Sequence, residues 1–150
     1  SFRRDRDVVL AAVAQSGHTL QYAGPRLQCD RAVLLAAVAQ DGYVLKYADW
    51  SFRCDRDVVL AAIAQNGQAL RWADDSFKRD RGIVSAALSQ SGLALSVADE
   101  SVQRNRGYVL AAVKQNGLAM WCAAASFQRD RDVVLAAVAK YGYVIQHADP

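Results

Sequence analysis

The sequence predicts an all-α fold: a right-handed-type α-solenoid of six tandem 25-residue helix-turn-helix repeats. Three observations predict it. The 150 residues divide without insertion or deletion into units 1–25, 26–50, 51–75, 76–100, 101–125 and 126–150. The first unit, SFRRDRDVVLAAVAQSGHTLQYAGP, and the last, SFQRDRDVVLAAVAKYGYVIQHADP, agree at 17 of 25 positions. Several columns never change. One holds Arg6, Arg31, Arg56, Arg81, Arg106 and Arg131, and another holds the Ala-Ala pairs that begin at Ala11, Ala36, Ala61, Ala86, Ala111 and Ala136. Glycine recurs at 17, 42, 67, 92, 117 and 142, and alanine at 23, 48, 73, 98, 123 and 148.

Each unit reads as two helices. Asp5 is suited to cap the first, because its carboxylate can accept from the free N–H groups of the next turn. Asp7 adds negative charge where the helix dipole favours it. The stretch that follows, RDVVLAAVAQ, is rich in Ala and Val, and Gly17 then falls where a left-handed residue would end the helix. HTLQYA forms a shorter second helix with Leu20 and Ala23 on one face, and a turn containing Ser and Phe leads to the next Asp. Pro25 and Pro150 lie at unit boundaries, outside helix interiors.

On a helical wheel Val8, Val9, Leu10, Ala12 and Val13 cover most of the first helix, leaving a narrow strip around Asp7, Ala14 and Gln15. A helix apolar nearly all round is expected to be buried, and here only neighbouring units can bury it. The Ala-Ala column would let adjacent helices approach closely, so Ala61→Leu is expected to overpack the junction.

The pattern D-R-x-x-V-L-A-A-V-x-Q-x-G-x-x-L-x-x-A, best seen over Asp5 to Ala23, Asp55 to Ala73 and Asp130 to Ala148, resembles the repeat family catalogued as domain of unknown function 4116. The resemblance covers the whole chain. The fourth and fifth units depart from it, with Ser85 for Leu and Asn105 for the capping Asp. Repeats of this kind look common in large proteins of microalgae and other protists, and the resemblance implies no catalytic activity. It points to a plastid or other organelle, or to the cytoplasm, as the compartment.

Composition excludes other classes. With 53% hydrophobic and 22% charged residues, the chain is neither disordered nor collagen-like. Its longest apolar run, Ala32 to Ala39, has 8 residues, far below the ~20 needed to span a bilayer. Cys29, Cys54 and Cys122 are odd in number and lack CxxC spacing, which argues against a disulfide framework or a zinc site. Reduced thiols imply a reducing compartment.

The net charge is only +3, but it is unevenly spread. Columns 1–7 hold 14 of the 18 basic residues against 8 aspartates. A stacked array would turn this into a basic edge laced with Asp. It reads first as an ion-pair ladder involving Asp5, Arg6, Arg31, Asp55, Arg56, Arg81, Arg106, Asp130 and Arg131. Arg at the first helical position opposes the helix dipole and so calls for a local partner, and its planar fork suits a carboxylate. The alternative is a phosphate-binding ridge for RNA.

Variable columns are better candidates for partner contacts, since packing does not dictate them. Tyr43, Trp50, Trp121, Tyr143 and Arg71 are the candidates, whereas Tyr22, Tyr47 and Trp72 are expected to pack between units. No HExxH, GxSxG, P-loop or dinucleotide fingerprint occurs. No catalytic residue, metal site or cofactor is expected, and the chain is not expected to be an enzyme. Neither terminal unit has the polar outer face of a solenoid cap, so the ends are expected to be covered by further repeats or by partners. The reading is a non-catalytic scaffold for protein partners, or a peripheral structural subunit of a larger complex such as a photosynthetic one, with RNA binding through the Arg edge as the alternative.

Overall fold

The computed structural model describes residues 2–147; of the repeat landmarks, Ser1, Ala148 and Pro150 lie outside the described residues, as do the side chains of Gln146 and His147. Every described element is helical. Each repeat contains three helical segments, one more than the sequence predicts.

The first segment is the ten-residue α-helix: α1 Arg6–Gln15, α2 Arg31–Gln40, α3 Arg56–Gln65, α4 Arg81–Gln90, α5 Arg106–Gln115 and α6 Arg131–Lys140. The caps are those expected. The Asp5 carboxylate accepts from the N–H groups of Asp7 and Val8, and Asp30, Asp55 and Asp130 repeat the arrangement. Asn105, where the fifth repeat lacks the acid, still accepts from Gly107 and Tyr108. An amide oxygen caps as well as a carboxylate does.

The end of this helix differs from expectation. No glycine, and no other described residue, has positive φ. The chain instead leaves the helix through an extended residue, Ser16 at φ −156°, Asp41 at φ −151° or Asn66 at φ −151°, whose N–H still bonds back into the last turn. The second segment is then a 3-10 helix, as in Gly17–Tyr22, Gly42–Tyr47 and Gly92–Val97. Three residues per turn align positions 17, 20 and 23 on one line, and Gly17, Leu20 and Ala23 are all buried. Columns 18 and 21 are turned away from that line.

The third segment occupies the expected turn. Pro25–Gln28, Trp50–Arg53 and Glu100–Gln103 are single α-helical turns, and Phe2–Arg4, Asp75–Lys78 and Ala125–Arg129 are 3-10 turns. Asp49 and Asp99 cap two of them by accepting from the N–H and hydroxyl of Ser51 and Ser101. A four-residue turn is too short to leave a periodic trace in sequence. The N–H of residue 24 bonds to the carbonyl of Arg3 at 2.6 Å, and Asp74, Asp99 and Ala124 bond in the same way to Arg53, Lys78 and Gln103. Each bond joins the end of a repeat to its own beginning.

The contacts divide the chain into two compact units, 1–74 and 75–150, with three repeats in each. In the first, α1 packs on α2 and α2 on α3; in the second, α4 packs on α5 and α5 on α6. The described core holds no polar or charged residue. Val33, Val38, Leu45, Val59 and Leu70 form much of it in the first unit, and Ile83, Val84, Leu95, Val113 and Met120 in the second.

The long helices are not apolar-buried all round, contrary to the wheel. Leu10, Leu35, Leu60 and Leu110 are half-buried, Leu135 is exposed, and the fourth repeat carries Ser85 at this position. Helix α2 is covered by α1, by α3 and by the 3-10 helices 17–22 and 42–47, which leaves its column-10 face outward. The Ala-Ala pair splits for the same reason. Ala37, Ala62, Ala87, Ala112 and Ala137 have no accessible surface, while Ala36, Ala61, Ala86 and Ala136 are only half-buried.

The buried alanine meets the glycine of the preceding repeat. A Cβ on Gly17 would strike the carbonyl oxygen of Ala37; one on Gly42 would strike that of Ala62, one on Gly92 that of Ala112, and one on Gly117 that of Ala137. The glycine therefore serves close approach and not a left-handed turn.

Ala62→Leu is expected to cost about 1–3 kcal/mol by overpacking, and Ala61→Leu much less, read from urea unfolding midpoints. Equal losses would remove the split between the two alanines. Gly42→Ala should destabilise because the carbonyl of Ala62 must move, whereas Gly142→Ala, with nothing within 4 Å of its Cβ, should not.

Candidate functional site

Two surfaces carry the functional candidates: the Arg-Asp edge and the outer face of the 3-10 helices. The edge is built from helix starts. Because the cap uses one carboxylate oxygen, the other is available to the previous repeat. Asp30 Oδ1 accepts from the backbone of Ala32 and Val33, and its Oδ2 accepts from Arg6 Nε at 3.2 Å. Arg31 donates to Asp55 at 3.0 and 3.4 Å and to Asp57 at 3.2 Å. Arg106 donates to Asp130 at 2.8 and 3.2 Å and to Asp132 at 2.6 Å. Arg6 meets a single carboxylate because its second partner column holds Ala32. For Arg81 the next repeat supplies Asn105 and Gly107, neither of them charged. Among the described residues, Arg81 and the terminal Arg131 have no carboxylate partner. Arg56 begins α3 and is not free.

These contacts hold the carboxyls below their ordinary range. For Asp55 the leading cause is the Arg31 guanidinium, followed by the N–H groups of Val58 and Asp57; for Asp130 it is Arg106, followed by Val133 and Asp132. For Asp30 the N–H of Val33 acts first and Arg6 second. Arg106 is raised correspondingly by Asp130 and Asp132.

Column 3, whose Arg3, Arg53 and Lys78 the sequence places on the basic edge, supplies a further tie. Gln28 donates to the carbonyls of Gln21 and Ala23 at 3.0 and 2.9 Å, Arg53 to those of Ala48 and Lys46, and Gln103 to that of Ala98. These side chains satisfy the bare carbonyl end of the preceding 3-10 helix. The sequence signal was the restriction of the column to long donors: Arg3, Gln28, Arg53, Lys78, Gln103 and Gln128. Lys78 is tied to Asp75 at 2.7 Å, and Arg104 to Glu100 at 2.5 Å.

The aromatic surface is more exposed than expected. Tyr22 and Tyr47 are 61% and 45% exposed, so the expected packing column faces outward in the first two repeats, and only Trp72 is half-buried. In the 3-10 segment columns 17, 19, 20 and 23 face inward, which leaves column 22 at the rim. Rings meet across this rim: His18 lies edge-on to Tyr47 at 6.3 Å between centroids, and Tyr43 edge-on to Trp72 at 4.8 Å. His18 Nδ1 also lies 3.0 Å from Asp41 Oδ2.

Among the partner candidates, Tyr43, Trp50 and Arg71 are exposed in the first unit, and Trp121 and Tyr143 in the second. Tyr143 lies beside Tyr141, 5.9 Å between rings. Trp50 opens the short helix Trp50–Arg53 and is 59% exposed.

Cys29 and Cys54 are exposed free thiols, and Cys122 is half-buried. Burial pushes the Cys122 thiol up, and at the exposed Cys54 loss of some of the surrounding water and the nearby Asp74 carboxylate act in the same direction. Both are therefore protonated, poor nucleophiles near neutral pH. Among the described residues no three of His, Cys, Asp and Glu gather where they could hold a metal ion, and no helix is long and apolar enough to cross a membrane. A cavity of about 1020 Å³ lies at the start of the second repeat, where Arg4 and Arg26 line it beside the Arg6–Asp30 pair.

One family model, described as a domain of unknown function (DUF4116), matches the chain three times, over residues 5–53, 55–103 and 105–150. Each match spans about two repeats and begins at a capping residue, Asp5, Asp55 or Asn105. No curated protein and no solved structure matches.

The lowered carboxyls fix the sign of an acid effect. Their stabilisation is complete above the unfolded Asp value of ~3.9 and is lost as pH falls from there through the folded value. Asp55→Asn, which keeps a capping oxygen and removes the charge, should flatten part of the fall in melting temperature between pH ~5 and ~3. Asp55→Ala should lose the cap as well, about 0.5–2 kcal/mol.

Proposed function

The chain belongs to the DUF4116 family, and from that premise we propose that it is a non-catalytic α-solenoid that scaffolds protein partners. This reading takes the array as right-handed, and the unbroken 25-residue period supports repeat-to-repeat stacking. The observation that carries the proposal is the row of exposed aromatics in the first unit, Tyr22, Tyr43, Tyr47 and Trp50. None of them is needed to fill the core. Each offers a large rigid apolar surface with one polar handle, the composition typical of protein-binding hot spots. Lys46, 5.6 Å above the Tyr47 ring, and Arg71 add positive charge to the same columns.

The guanidiniums that would form a phosphate ridge are in part committed to carboxylates and carbonyls, at Arg6, Arg31, Arg53 and Arg106. That commitment favours protein over nucleic acid as the partner. The finer form of the proposal, a peripheral structural subunit of an organellar assembly, draws its support from the proteins such repeats resemble.

The test is affinity capture from the native source at high salt, comparing the natural chain with Tyr47→Ala and Trp50→Ala. A defined set of protein subunits should be retained by the natural chain. The variants should bind at least about 30-fold more weakly, as hot-spot losses of ~2 kcal/mol imply, while thermal midpoints stay nearly unchanged. Recovery of nucleic acid alone, lost by roughly 0.9 log unit per log salt for each phosphate contacted, would overturn the proposal in favour of the Arg edge.

A further inference from the structure

We propose that the groove between α4 and α5, inside the second unit, binds an extended acidic segment of a protein partner, which lays a carboxylate on Arg81 and an aliphatic side chain in the space left by Ser85. The proposal shares with the scaffold reading only the class of partner. It uses a different surface, so either can fail without the other.

The departures of the fourth and fifth repeats from the common pattern collect at this one junction. Ser85 stands where other repeats carry Leu10, Leu35 and Leu110, and Ser89 where they carry Ala14, Ala39 and Ala139. Across the junction, Asn105 and Gly107 take the places that Asp55 and Asp57, or Asp130 and Asp132, hold elsewhere, and Tyr108 replaces the valine of Val33, Val58 and Val133.

These exchanges open the surface. Ala111 is exposed, whereas Ala36, Ala61 and Ala136, which follow repeats carrying Leu10, Leu35 and Leu110, are half-buried. The result is a groove of about 360 Å³ lined by Ser85, Leu88, Ser89, Tyr108, Ala111 and Gln115. Gln115 closes the end away from Arg81, bonding to the N–H of Gly92 and the carbonyl of Gln90. The Ser89 hydroxyl donates to the carbonyl of Ser85 at 2.8 Å. The hydroxyls of Ser85 and Tyr108 have no hydrogen-bond partner among the described residues, so they are available to the backbone of an extended segment.

Charge selects the occupant. Arg31 and Arg106 each hold two carboxylates of the following repeat. Arg81 starts its helix in the same way, is exposed, and has no carboxylate among the described residues. Asn105 spends its oxygen on the cap, and the amide nitrogen that remains can only donate. A partner's carboxylate thus supplies what the chain supplies to itself elsewhere. Arg81 precedes Ser85 by four residues, a rise of about 6 Å. Residues two apart in an extended segment share one side and stand about 6.6 Å apart, so an acid and an aliphatic residue in that spacing reach both places. Nucleic acid is less well served: no residue lining the groove is charged, Arg106 is engaged by Asp130 and Asp132, and Arg104 is tied to Glu100.

The test is a bead-displayed library of short peptides carrying Asp-x-Leu or Glu-x-Leu between randomised flanks, probed with the full chain, with fluorescence anisotropy of the retained sequences. The natural chain should retain peptides whose binding weakens at least about tenfold when the acid becomes its amide or the Leu becomes Ser. Ser85→Leu fills the groove with the residue of other repeats, and Asn105→Asp combined with Gly107→Asp gives Arg81 carboxylates of its own. Each should weaken binding by a similar factor while the melting temperature is kept or raised, because both restore the common pattern. Tyr47→Ala and Trp50→Ala should leave this binding unchanged. A library that yields no peptide, or binding that survives both the Ser85 variant and the double variant, would overturn the proposal. Oligouridylate bound as tightly as the peptides and lost with Arg81→Gln would overturn it in favour of nucleic acid.

Discussion

The contact on which the repeats depend is the approach of a glycine Cα to a carbonyl oxygen of the next helix. At Gly17, Gly42, Gly92 and Gly117 no Cβ could be accommodated without shifting backbone. The partner residue is always the second alanine of the pair, so the smallest side chains stand on both sides of the junction. Close approach brings the 3-10 helix of one repeat onto the α-helix of the next and removes all water from Ala37, Ala62, Ala112 and Ala137. A larger residue on either side would widen the junction and loosen the dispersion contacts of the Val and Leu residues around it.

Electrostatics follows from that spacing. Once the helices are this close, consecutive helix starts stand side by side, and one carboxylate serves two purposes. Asp30, Asp55 and Asp130 cap their own helices with one oxygen and bind the preceding Arg with the other. This accounts for Arg at a position the helix dipole disfavours: the charge is neutralised across the junction and not within its own helix. Exposed pairs add little stability, but they penalise any slip in register, since a shifted repeat would leave both a cap and a cation unpaired. The fifth repeat separates the two purposes. Asn105 keeps the cap, and Arg81 loses its counter-charge.

The surface left over is set by the same geometry. Columns 17, 19, 20 and 23 face inward, so columns 18, 21 and 22 are less constrained by packing and vary from repeat to repeat. In the first unit they carry aromatic and basic residues, and Tyr43 and Trp72 pair across a junction without being buried in it. A repeat that fixes its interior so strictly is free to diversify its rim, which is the property an interaction scaffold requires.

The period, the helical class, the Asp caps and the Arg column were determined by the sequence itself, because each is a local or strictly recurring property that needs no knowledge of the neighbour's position. The inward face of the second segment, Leu20 and Ala23, was legible for the same reason. Other features depend on what lies across the junction. Gly17 carries the same letter whether it ends a helix in the left-handed region or admits a carbonyl, and only the position of Ala37 decides between them. The two alanines of a pair are chemically identical, and only the placement of the adjacent helix buries Ala62 and leaves Ala61 half open. The wheel counted Leu10 as core because it could not show that α-helix and 3-10 neighbours cover three sides and leave one to solvent. The choice of 3-10 over α-helix after residue 16 moved Tyr22 and Tyr47 from the expected interior to the rim. Residue chemistry thus determined which groups could cap, pair and pack, and the tertiary structure decided which did, because burial and close approach belong to two segments at once.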